Sequence, residues 1–325
     1  MPLINTSGVN TDRGYGLFAL PRCTDGTKGI FALGQYCYTN YNSRDKYTYA
    51  SCTSTASGGV ASVASSYGSA AGNSTRGIFA LGCGGGSIRN KYTYSSCTST
   101  ASGVGSASTC SSRGSAAGNS TRGIFAFGAG SATRNKYTYS SCTSTACGVG
   151  SASATSNYSS AAGNSTRGIF ALGITGVYPC AHYSSIRNKY TYSSCTSTAC
   201  GVASASFVSY LGSAAGNSTR GIFALGCGTT TYATRDKYTY ASCTSTACGV
   251  GSASAASLAG SAAGNSTRGI FALGIAVGSC YSQSASTTRN KYTYSSCTST
   301  ASGVGGASFS SSQGSAASWA TCVNI

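Results

Sequence analysis

Short apolar segments alternate with polar, glycine-rich segments along the whole chain, and one stretch shows the pattern in full. From Gly114 it reads GSAAGNSTRGIFAFGAGSATRNKYTYSSCTSTACGVGSASA. The segment RGIFAFG is a short apolar run bounded by glycines, which predicts a strand buried on both faces. In KYTYSSC, Tyr137 and Tyr139 alternate with Lys136 and Thr138, the period-2 pattern of a strand with two different faces.

Two further strands complete this pattern. The segment GSAAGN consists of small residues and ends in Gly118-Asn119, which tolerate the positive backbone angle of a tight turn. A turn around Cys142-Thr143-Ser144 leads to a last strand, in which Val149 is the apolar residue. The stretch therefore predicts four short antiparallel strands.

The same pattern occurs six times. The segment GIFALG, once GIFAFG, begins at Gly29, Gly77, Gly123, Gly168, Gly221 and Gly269. Successive copies are 48, 46, 45, 53 and 48 residues apart, a period typical of modules that share a core with their neighbours. Glycine, serine, threonine and tyrosine at this density disfavour helical repeats. We therefore predict an all-β fold, a six-bladed β-propeller (seven-bladed if the terminal strands add a blade) of four-stranded antiparallel blades. A parallel β-helix is the alternative.

The order of the strands resembles a known repeat. A small-residue strand, an apolar strand that closes in glycine (GIFALG) and a tyrosine strand with a polar turn (KYTYSSCTST) resemble the kelch repeat, as in the kelch-like propellers of bacteriophage and bacterial proteins. The resemblance covers roughly Gly14 to Ser308 and implies a kelch-like propeller. The chain departs from kelch in having mostly one glycine where kelch has two, and in having Trp319 as its only tryptophan. These departures argue against adaptor recruitment of the eukaryotic kelch type.

We predict one domain, because stacked repeats share a continuous core. Residues 1–13 form an N-terminal arm, residues 14–312 the propeller and residues 313–325 a C-terminal closing or assembly strand. The first blade is expected to begin with a small-residue strand at Gly16–Leu20. The tail GSAASWATCVNI repeats the small-residue strand, so it either pairs with the first blade or joins a neighbouring subunit or anchor by strand addition.

The charge of the chain is strongly positive and evenly repeated. Twenty-one Lys and Arg against four acidic residues give a net charge of +17. Eighteen of these cations fall at three positions of each copy: Lys28 or its arginine equivalents, and the two basic residues of R-[ND]-K-Y, such as Arg89 and Lys91. We expect a ring of surface charge that keeps the scaffold soluble. The alternative is a basic surface for a polyanion such as nucleic acid or acidic glycan.

No targeting or membrane signal is evident in the sequence. The segment MPLINTSGVNTDRGYG has neither a basic leader nor an apolar stretch, and no apolar run reaches the length of a membrane span. We therefore expect no secretory signal and no membrane span.

Variation between the copies is confined to two kinds of connection. These are the inserts between the second and third strands and the links between blades, which a propeller places on one face. The opposite face, formed by the GNSTRG and SSCTST turns, is nearly constant. The variable links carry Tyr67, Arg113, Tyr158, Phe207, Tyr210 and Leu258. Tyr, Ser and Gly on a variable face are typical of adaptable binding surfaces.

The tyrosine-rich inserts predict a ligand-binding face. The candidate ligand-binding residues are Tyr36, Tyr38, Tyr41, Tyr178, His182, Tyr183, Tyr232 and Tyr281. Tyrosine side chains that stack on sugar rings or on a protein partner would provide the mechanism. Drift of unconstrained loops is the alternative interpretation.

The sequence offers no catalytic or metal-binding constellation. It has no glutamate, a single histidine, His182, and four aspartates, Asp12, Asp25, Asp45 and Asp236. Asp45 and Asp236 stand where the other copies have asparagine, which we interpret as drift of the repeat. General acid and base catalysis needs paired titratable groups. We therefore predict that the protein is not an enzyme and has neither a cofactor nor a metal.

Cysteine and asparagine recur at fixed places. One cysteine occupies the turn between the third and fourth strands of every copy, and in three copies a second follows five residues later. These pairs, which could form disulfides across the hairpin, are Cys142 and Cys147, Cys195 and Cys200, and Cys243 and Cys248. Free thiols are the alternative, and zinc is disfavoured because two thiolates leave its site incomplete. The repeated Asn-Ser-Thr segments we interpret as turns and not as glycosylation sites.

Together these features favour a non-catalytic structural or receptor-binding protein. The kelch-like resemblance implies a component of a phage virion, such as a tail or capsid fibre, that binds a host-surface glycan or a neighbouring virion protein. Its terminal strands would join other virion or surface proteins, or further copies of itself as a homo-oligomer. The alternatives are an extracellular or bacterial cell-surface adhesin or polymer subunit, and an intracellular protein-interaction scaffold.

Overall fold

The computed structural model describes most of the chain between residues 28 and 318. The described residues are 28–32, 34–36, 39–56, 59–110, 112–146, 149–176, 182–199, 202–228, 230–246, 250–276, 285–302, 304–308, 310 and 312–318. They form strands, turns and bends, and none of them is helical. The prediction of an all-β fold is confirmed.

Six antiparallel four-stranded sheets, one for each repeat, make up the described fold. In every sheet a strand of small residues is innermost and pairs with the apolar strand. The innermost strands are Ser69–Gly72, Ser115–Gly118, Ser160–Gly163, Ser213–Gly216, Ser261–Gly264 and Ser315–Ser318. The apolar second strands are Lys28–Ala32, Arg76–Ala80, Arg122–Ala126, Arg167–Ala171, Arg220–Ala224 and Arg268–Ala272.

The tyrosine strand is third in each sheet, and a threonine-rich strand is outermost. The third strands are Arg44–Thr48, Arg89–Thr93, Arg134–Thr138, Arg187–Thr191, Arg235–Thr239 and Arg289–Thr293. The outer strands are Thr53–Ala56, Thr98–Thr100, Thr143–Thr145, Thr196–Thr198, Thr244–Thr246 and Thr298–Thr300. The outer strand of the third repeat thus ends before Val149, which lies in the following link and packs against the core.

The two central strands carry the core. In the third repeat Ile124 and Phe125 are buried on opposite faces of the second strand, as its unbroken apolar run predicts. On the third strand Tyr137 and Tyr139 are buried, whereas Lys136 and Thr138 are only half-buried. Full burial of such side chains contributes about 1.5–3 kcal/mol each. The predicted period-2 pattern of the tyrosine strand is therefore confirmed.

The C-terminal tail supplies the innermost strand of the first sheet. Ser315–Ser318 pairs with Lys28–Ala32 through Gly29↔Ser318 and Ile30↔Ala317, the register in which Gly77 and Ile78 pair with the innermost strand of the second repeat. Of the two predicted roles of the tail, pairing with the first repeat is the one observed. The expected strand at Gly16–Leu20 lies outside the described residues, and the place assigned to it is taken by the tail.

The innermost strands contact one another in sequence order. Ser315–Ser318 lies between Ser261–Gly264 and Ser69–Gly72, so the first and last repeats are also in contact. Together the six strands line a central cavity of about 90 Å³. Only small side chains fit there: a Cβ at Gly118, on the innermost strand of the third repeat, would lie 2.7 Å from the Tyr139 hydroxyl oxygen and 2.9 Å from the Arg122 carbonyl oxygen. The fold is therefore all-β and propeller-like.

The first residue of every third strand is a buried arginine that reaches into the next repeat. We call these six residues the clasp arginines: Arg44, Arg89, Arg134, Arg187, Arg235 and Arg289. Arg89 donates to Asn135 Oδ1, at 3.4 Å, and to the Ser144 hydroxyl. Its guanidinium carbon lies 4.6 Å from the ring centroid of Phe125, a cation–π contact worth about 2 kcal/mol when desolvated.

The clasp arginines correct the expected ring of surface charge. Each of the six is 1% exposed, so one third of the repeated cations lie inside the protein. Burial lowers the pKa of Arg44, Arg89, Arg134 and Arg235 to about 10, which leaves them charged at neutral pH. Their hydrogen bonds and aromatic contacts compensate for the lost hydration.

The sequence suggested that Asp45 and Asp236 are drift of the repeat, but the structure gives both a specific role. Both side chains are fully buried, and each forms an ion pair of 2.9 Å, Arg187 with Asp236 and Arg289 with Asp45. Asp45 also accepts from the backbone N–H of Ser308 at 2.8 Å, as Asn90 does from Ser62. The aspartates therefore take the place of the asparagine that accepts from the clasp arginine. One of these pairs joins the sixth repeat to the first.

The constant turns, which we call the turn face, also join neighbouring repeats. Asn119 Oδ1 accepts from the backbone N–H groups of Thr121 and Arg122 at 3.0 Å, and its Nδ2 donates to the Ser165 carbonyl of the next repeat. Arg122 donates to the Tyr192 carbonyl of that repeat at 2.9 Å. The predicted turn role of the Asn-Ser-Thr segments is confirmed, because the Asn119 side chain forms its hydrogen bonds within its own turn and with the next repeat.

One cysteine of each predicted pair lies in the described part of the chain. Cys142, Cys195 and Cys243 are free thiols, whereas their predicted partners Cys147, Cys200 and Cys248 lie outside the described residues. Each thiol donates to the carbonyl of the tyrosine three residues earlier, at 3.7 Å. Each also lies 3.5–3.7 Å from an arginine of the preceding repeat. Each of these sulfurs is thus held against the preceding sheet.

Within the described ranges, no helical segment has the length and apolar character needed to cross a bilayer.

Candidate functional site: the loop face

The variable inserts and links lie together and pair with one another. We call this surface the loop face. In the second repeat Ser66 and Cys83 exchange backbone hydrogen bonds of 3.1 and 2.8 Å, and Tyr210 and Cys227 do the same in the fifth. The short strands of this face are Gln35–Tyr36, Thr39–Asn40, Ser156–Asn157, Ile174–Thr175, His182–Tyr183, Ser257–Leu258 and Ile275–Ala276. The predicted gathering of the variable segments is confirmed for the described residues.

Six link residues form a hydrogen-bonded circle on this face. Each stands two residues before an innermost strand and has a positive φ, between 55° and 61°: Tyr67, Arg113, Tyr158, Leu211, Ala259 and Gln313. The Arg113 N–H donates to the Tyr67 carbonyl at 2.9 Å, and the Tyr67 N–H donates to the Gln313 carbonyl at 2.7 Å. The other repeats continue the chain of bonds, except that in the fourth repeat the N–H of Ser159, next to Tyr158, is the donor to the Arg113 carbonyl, at 3.3 Å. Because this backbone is fixed by the bonds between repeats, its side chains are free to differ.

Three of these side chains form what we call the axial cluster: Tyr67, Arg113 and Tyr158. The Arg113 guanidinium carbon lies 5.5 Å from the Tyr67 ring centroid and 5.0 Å from that of Tyr158. The two rings meet edge to face at 5.6 Å. All three residues are half-buried. The cluster thus joins residues of three successive repeats.

Two stacked aromatic pairs lie on the loop face, and one of them contacts the axial cluster. Tyr210 contacts Tyr158 at 5.8 Å and stacks on Tyr183, with ring centroids 4.8 Å apart and an interplanar angle of 12°. Phe207 stacks on Tyr232 at 5.4 Å and 18°. Tyr183 is 43% exposed and Phe207 is 49% exposed. Contiguous exposed aromatic side chains are typical of interaction sites.

Arg113 gives this aromatic surface its charge. It is the only Lys or Arg in the inserts and links. Its Nε is buried and has no hydrogen-bond partner among the described residues. Burial raises the pKa of Tyr67 to about 12, and the neighbouring Tyr158 adds to the effect. The Tyr67 hydroxyl therefore stays neutral at neutral pH and adds no negative charge beside Arg113.

The predicted ligand-binding residues fall into three groups. Tyr183 and Tyr232 belong to the stacked pairs, and the exposed His182 pairs with Thr175 beside them. Tyr41 forms a bridge with Ser65 on the first repeat, and the backbone of Tyr36 pairs with Thr39. Tyr38, Tyr178 and Tyr281 lie outside the described residues.

The best-connected residues of the face were not among the predicted ligand-binding residues. Tyr67, Arg113, Tyr158, Tyr210 and Phe207 were recognised as variable, but all come from the links and not from the tyrosine-rich inserts. One signal could have found three of them. The residue two places before each SAA segment differs in every repeat except for a repeated tyrosine, although the residue after it is glycine in five of the six repeats.

Within the part of the chain that the structure describes, no three His, Cys, Asp or Glu side chains are grouped as a metal site would require. Cys227, on the loop face, is disulfide-bonded and fully buried.

No protein-family model matches the chain, and no curated protein sequence matches it. The kelch-like resemblance therefore stays a prediction.

Proposed function

We propose that the six sheets are the blades of a closed, six-bladed, kelch-like β-propeller. We further propose that this propeller is a non-catalytic structural and receptor-binding component of a phage virion, a tail or capsid fibre. In this proposal the loop face binds a host-surface glycan or a neighbouring virion protein.

Closure is supported by contacts that the sixth repeat makes with the first. Arg289 donates to Asp45 and Ser54 as Arg89 donates to Asn135 and Ser144. Arg268 donates to the Tyr49 carbonyl at 2.8 Å, as Arg122 does to Tyr192. A propeller needs these contacts to be the same at every junction, because each blade buries its faces against two neighbours.

One observation supports the binding function: the exposed stacked aromatic rings among the described residues lie on the face that varies between repeats. On the turn face the repeated asparagines and arginines are consumed by contacts within and between repeats. On the loop face Tyr183, Tyr210 and Phe207 present ring surface to solvent or to each other. Tyrosine adds contact area at low entropic cost, and its hydroxyl can bond a polar ligand. The assignment to a virion rests on the resemblance of the repeats alone.

A glycan array and a bacterial-cell binding assay test the binding proposal. We expect the wild type to bind and Tyr183→Ala/Tyr210→Ala to lose most of that binding. The matched control is Ser96→Ala/Thr98→Ala. On the turn face, the exposed hydroxyl oxygens of Ser96 and Thr98 lie 2.7 Å from each other, and the variant that lacks both hydroxyls should bind as the wild type does. If neither glycans nor cells are bound, the proposed receptor-binding function is wrong. If both variants bind equally well, the loop face is not the binding surface.

A further inference from the structure

The axial cluster contains a cation whose hydrogen-bonding capacity is unused by the described residues. Arg113 contacts two tyrosine rings through its guanidinium plane, and no described carboxylate pairs with it, since Asp45 and Asp236 are bound to clasp arginines. A guanidinium presents five donors in a fixed fork. The clasp arginines also have a buried Nε without a partner, but their other guanidinium nitrogens bond the next repeat, whereas those of Arg113 bond no described residue and are open to a ligand oxygen.

We infer that the axial cluster binds one negatively charged sugar residue, a pyranose that carries a carboxylate. The inference rests on the proposed function of the loop face and names the chemical class of its ligand. Arg113 would hold the carboxylate, and the rings of Tyr158, Tyr210 and Tyr183 would pack against the sugar and its neighbours.

The number of charges selects this ligand over a polyanion. Binding to a nucleic acid backbone draws on several phosphate contacts, each made by a separate Lys or Arg. The inserts and links of this chain hold Arg113 alone. A single guanidinium suits a single carboxylate, which it can bond through two parallel N–H donors.

The aromatic surface beside Arg113 fits a ring-shaped ligand. Tyr210 lies between Tyr158 and Tyr183, so ring surface continues from the cation outward to an exposed pair. Tyrosine offers an apolar face together with a hydroxyl, and a pyranose presents the matching combination of C–H faces and hydroxyl groups. No charge stands at the other positions of the circle, which are Leu211, Ala259 and Gln313. The positive charge of the circle therefore lies on one side, at Arg113.

The chain supplies its own replacement for Arg113. Gln313 occupies the same position in the circle, with a φ of 59° against 61° for Arg113. Arg113→Gln therefore removes the charge while keeping a residue type that this backbone already accommodates. Lys136→Gln is the charge-matched control, because Lys136 lies mid-strand on the third sheet. Arg113→Lys keeps the charge and removes the fork.

Titration calorimetry with methyl β-D-glucuronide and methyl β-D-glucoside tests the inference, because the two sugars differ only in the carboxylate. The wild type and Lys136→Gln should prefer the glucuronide by at least about tenfold in Kd. Arg113→Gln should lose the preference, and Arg113→Lys should keep part of it. Circular dichroism melting curves of the variants, unchanged from wild type, would show that they fold.

Each contrary result separates the inference from the proposed function. Array binding that needs Tyr183 and Tyr210 but is unaffected by Arg113→Gln would overturn the inference and leave the proposed function intact. Equal binding of the two methyl glycosides, or single-stranded DNA bound through Arg113, would also overturn it. If the wild type binds no glycan and no cell, both fail.

Discussion

The turn face and the loop face are built from the same six repeats, yet they use side chains in opposite ways. On the turn face the same side chains form the same hydrogen bonds in successive repeats. Asn119, for example, bonds its own turn and the next repeat, and Arg122 donates to the carbonyl of Tyr192. On the loop face the repetition is in the backbone. The residues of the hydrogen-bonded circle share a positive φ and differ in side chain.

The difference shows where variation is tolerated. Where a side chain holds two repeats together, a change breaks a contact at that junction. Where backbone groups hold the repeats together, as in the circle, the side chain can change without loss of that bond. We therefore expect changes in the interior or at the turns to lower stability, and changes on the loop face to alter binding alone.

Alkaline pH should have the largest effect on the scaffold. Burial holds the pKa of Tyr94, Tyr139, Tyr192, Tyr240 and Tyr294 well above 10. The folded state then keeps protons that the unfolded state loses, so stability is intact below pH 10 and falls as the pH rises further. Each such tyrosine contributes about 1.4 kcal/mol per pH unit. The lowered pKa of the six clasp arginines opposes this. Burial also raises the pKa of Tyr47, Tyr137, Tyr190, Tyr238 and Tyr292, however, so the tyrosines with a raised pKa outnumber the arginines.

Absorbance at 295 nm during an alkaline titration measures this directly. The buried tyrosines should ionise in one step, together with the loss of β-sheet circular dichroism. Ionisation of all tyrosines near pH 10 in a protein that stays folded would contradict the burial of the tyrosine pairs.

Removal of the C-terminal strand should have the next largest effect. Truncation after Gly314 deletes Ser315–Ser318, which pairs with the first sheet and contacts the innermost strands on both sides. Loss of these backbone bonds, at about 1 kcal/mol each, should lower the free energy of unfolding by roughly 4 kcal/mol or more. Chemical denaturation followed by circular dichroism is the measurement. Truncation after Ser318 is the control, and this chain should unfold at a higher denaturant concentration than the shorter one. Equal unfolding midpoints of the two chains would contradict a structural role for this strand.

The clasp arginines allow a matched comparison within one chain. Arg187→Met leaves Asp236 buried without its cation, whereas Arg134→Met leaves the neutral Asn188. We expect a loss of about 3–5 kcal/mol for the first and about 1–3 kcal/mol for the second, measured by urea denaturation. Asp236→Asn should cost less than either, because asparagine occupies this position in four repeats. Equal losses for the two arginine variants would mean that the ion pair has no special role.

Substitutions on the loop face should have the smallest effect on stability. Phe207→Ser and Tyr183→Ser remove half-exposed rings whose stacking partners, Tyr232 and Tyr210, also lie on the loop face. Their melting temperatures should change little, by the equivalent of about 0.5–1 kcal/mol. A loss as large as that of Arg134→Met would show that these rings belong to the core.

The period and the alternation of apolar residues predicted the strands well, because both are local properties of the chain. GIFALG and KYTY carry their own burial pattern, and the small residues of GSAA fit only an innermost strand. Local patterns also suffice for the turn role of Asn119. The same reasoning assigned the inserts and links to one face, since antiparallel connections alternate between two ends.

The parts that the sequence did not predict depend on contacts between repeats. Arg89 was expected at the surface because charges usually are, and only its partners in the next repeat, Asn135 and Ser144, explain its burial. Asp236 looked like drift for the same reason. The axial cluster joins Tyr67, Arg113 and Tyr158 through a backbone circle that no local pattern reveals.

We propose that the loop face binds the glycan ligand, whereas the turn face holds the scaffold together. The most direct test of this proposal is a side-by-side binding measurement on immobilised bacterial surface glycan, with Tyr183→Ala/Tyr210→Ala and Ser96→Ala/Thr98→Ala compared with the wild type at equal folded concentration. We predict that the loop-face variant loses at least about tenfold in affinity and the turn-face variant loses none. Loss of binding in the turn-face variant, with the loop-face variant unchanged, would contradict this assignment.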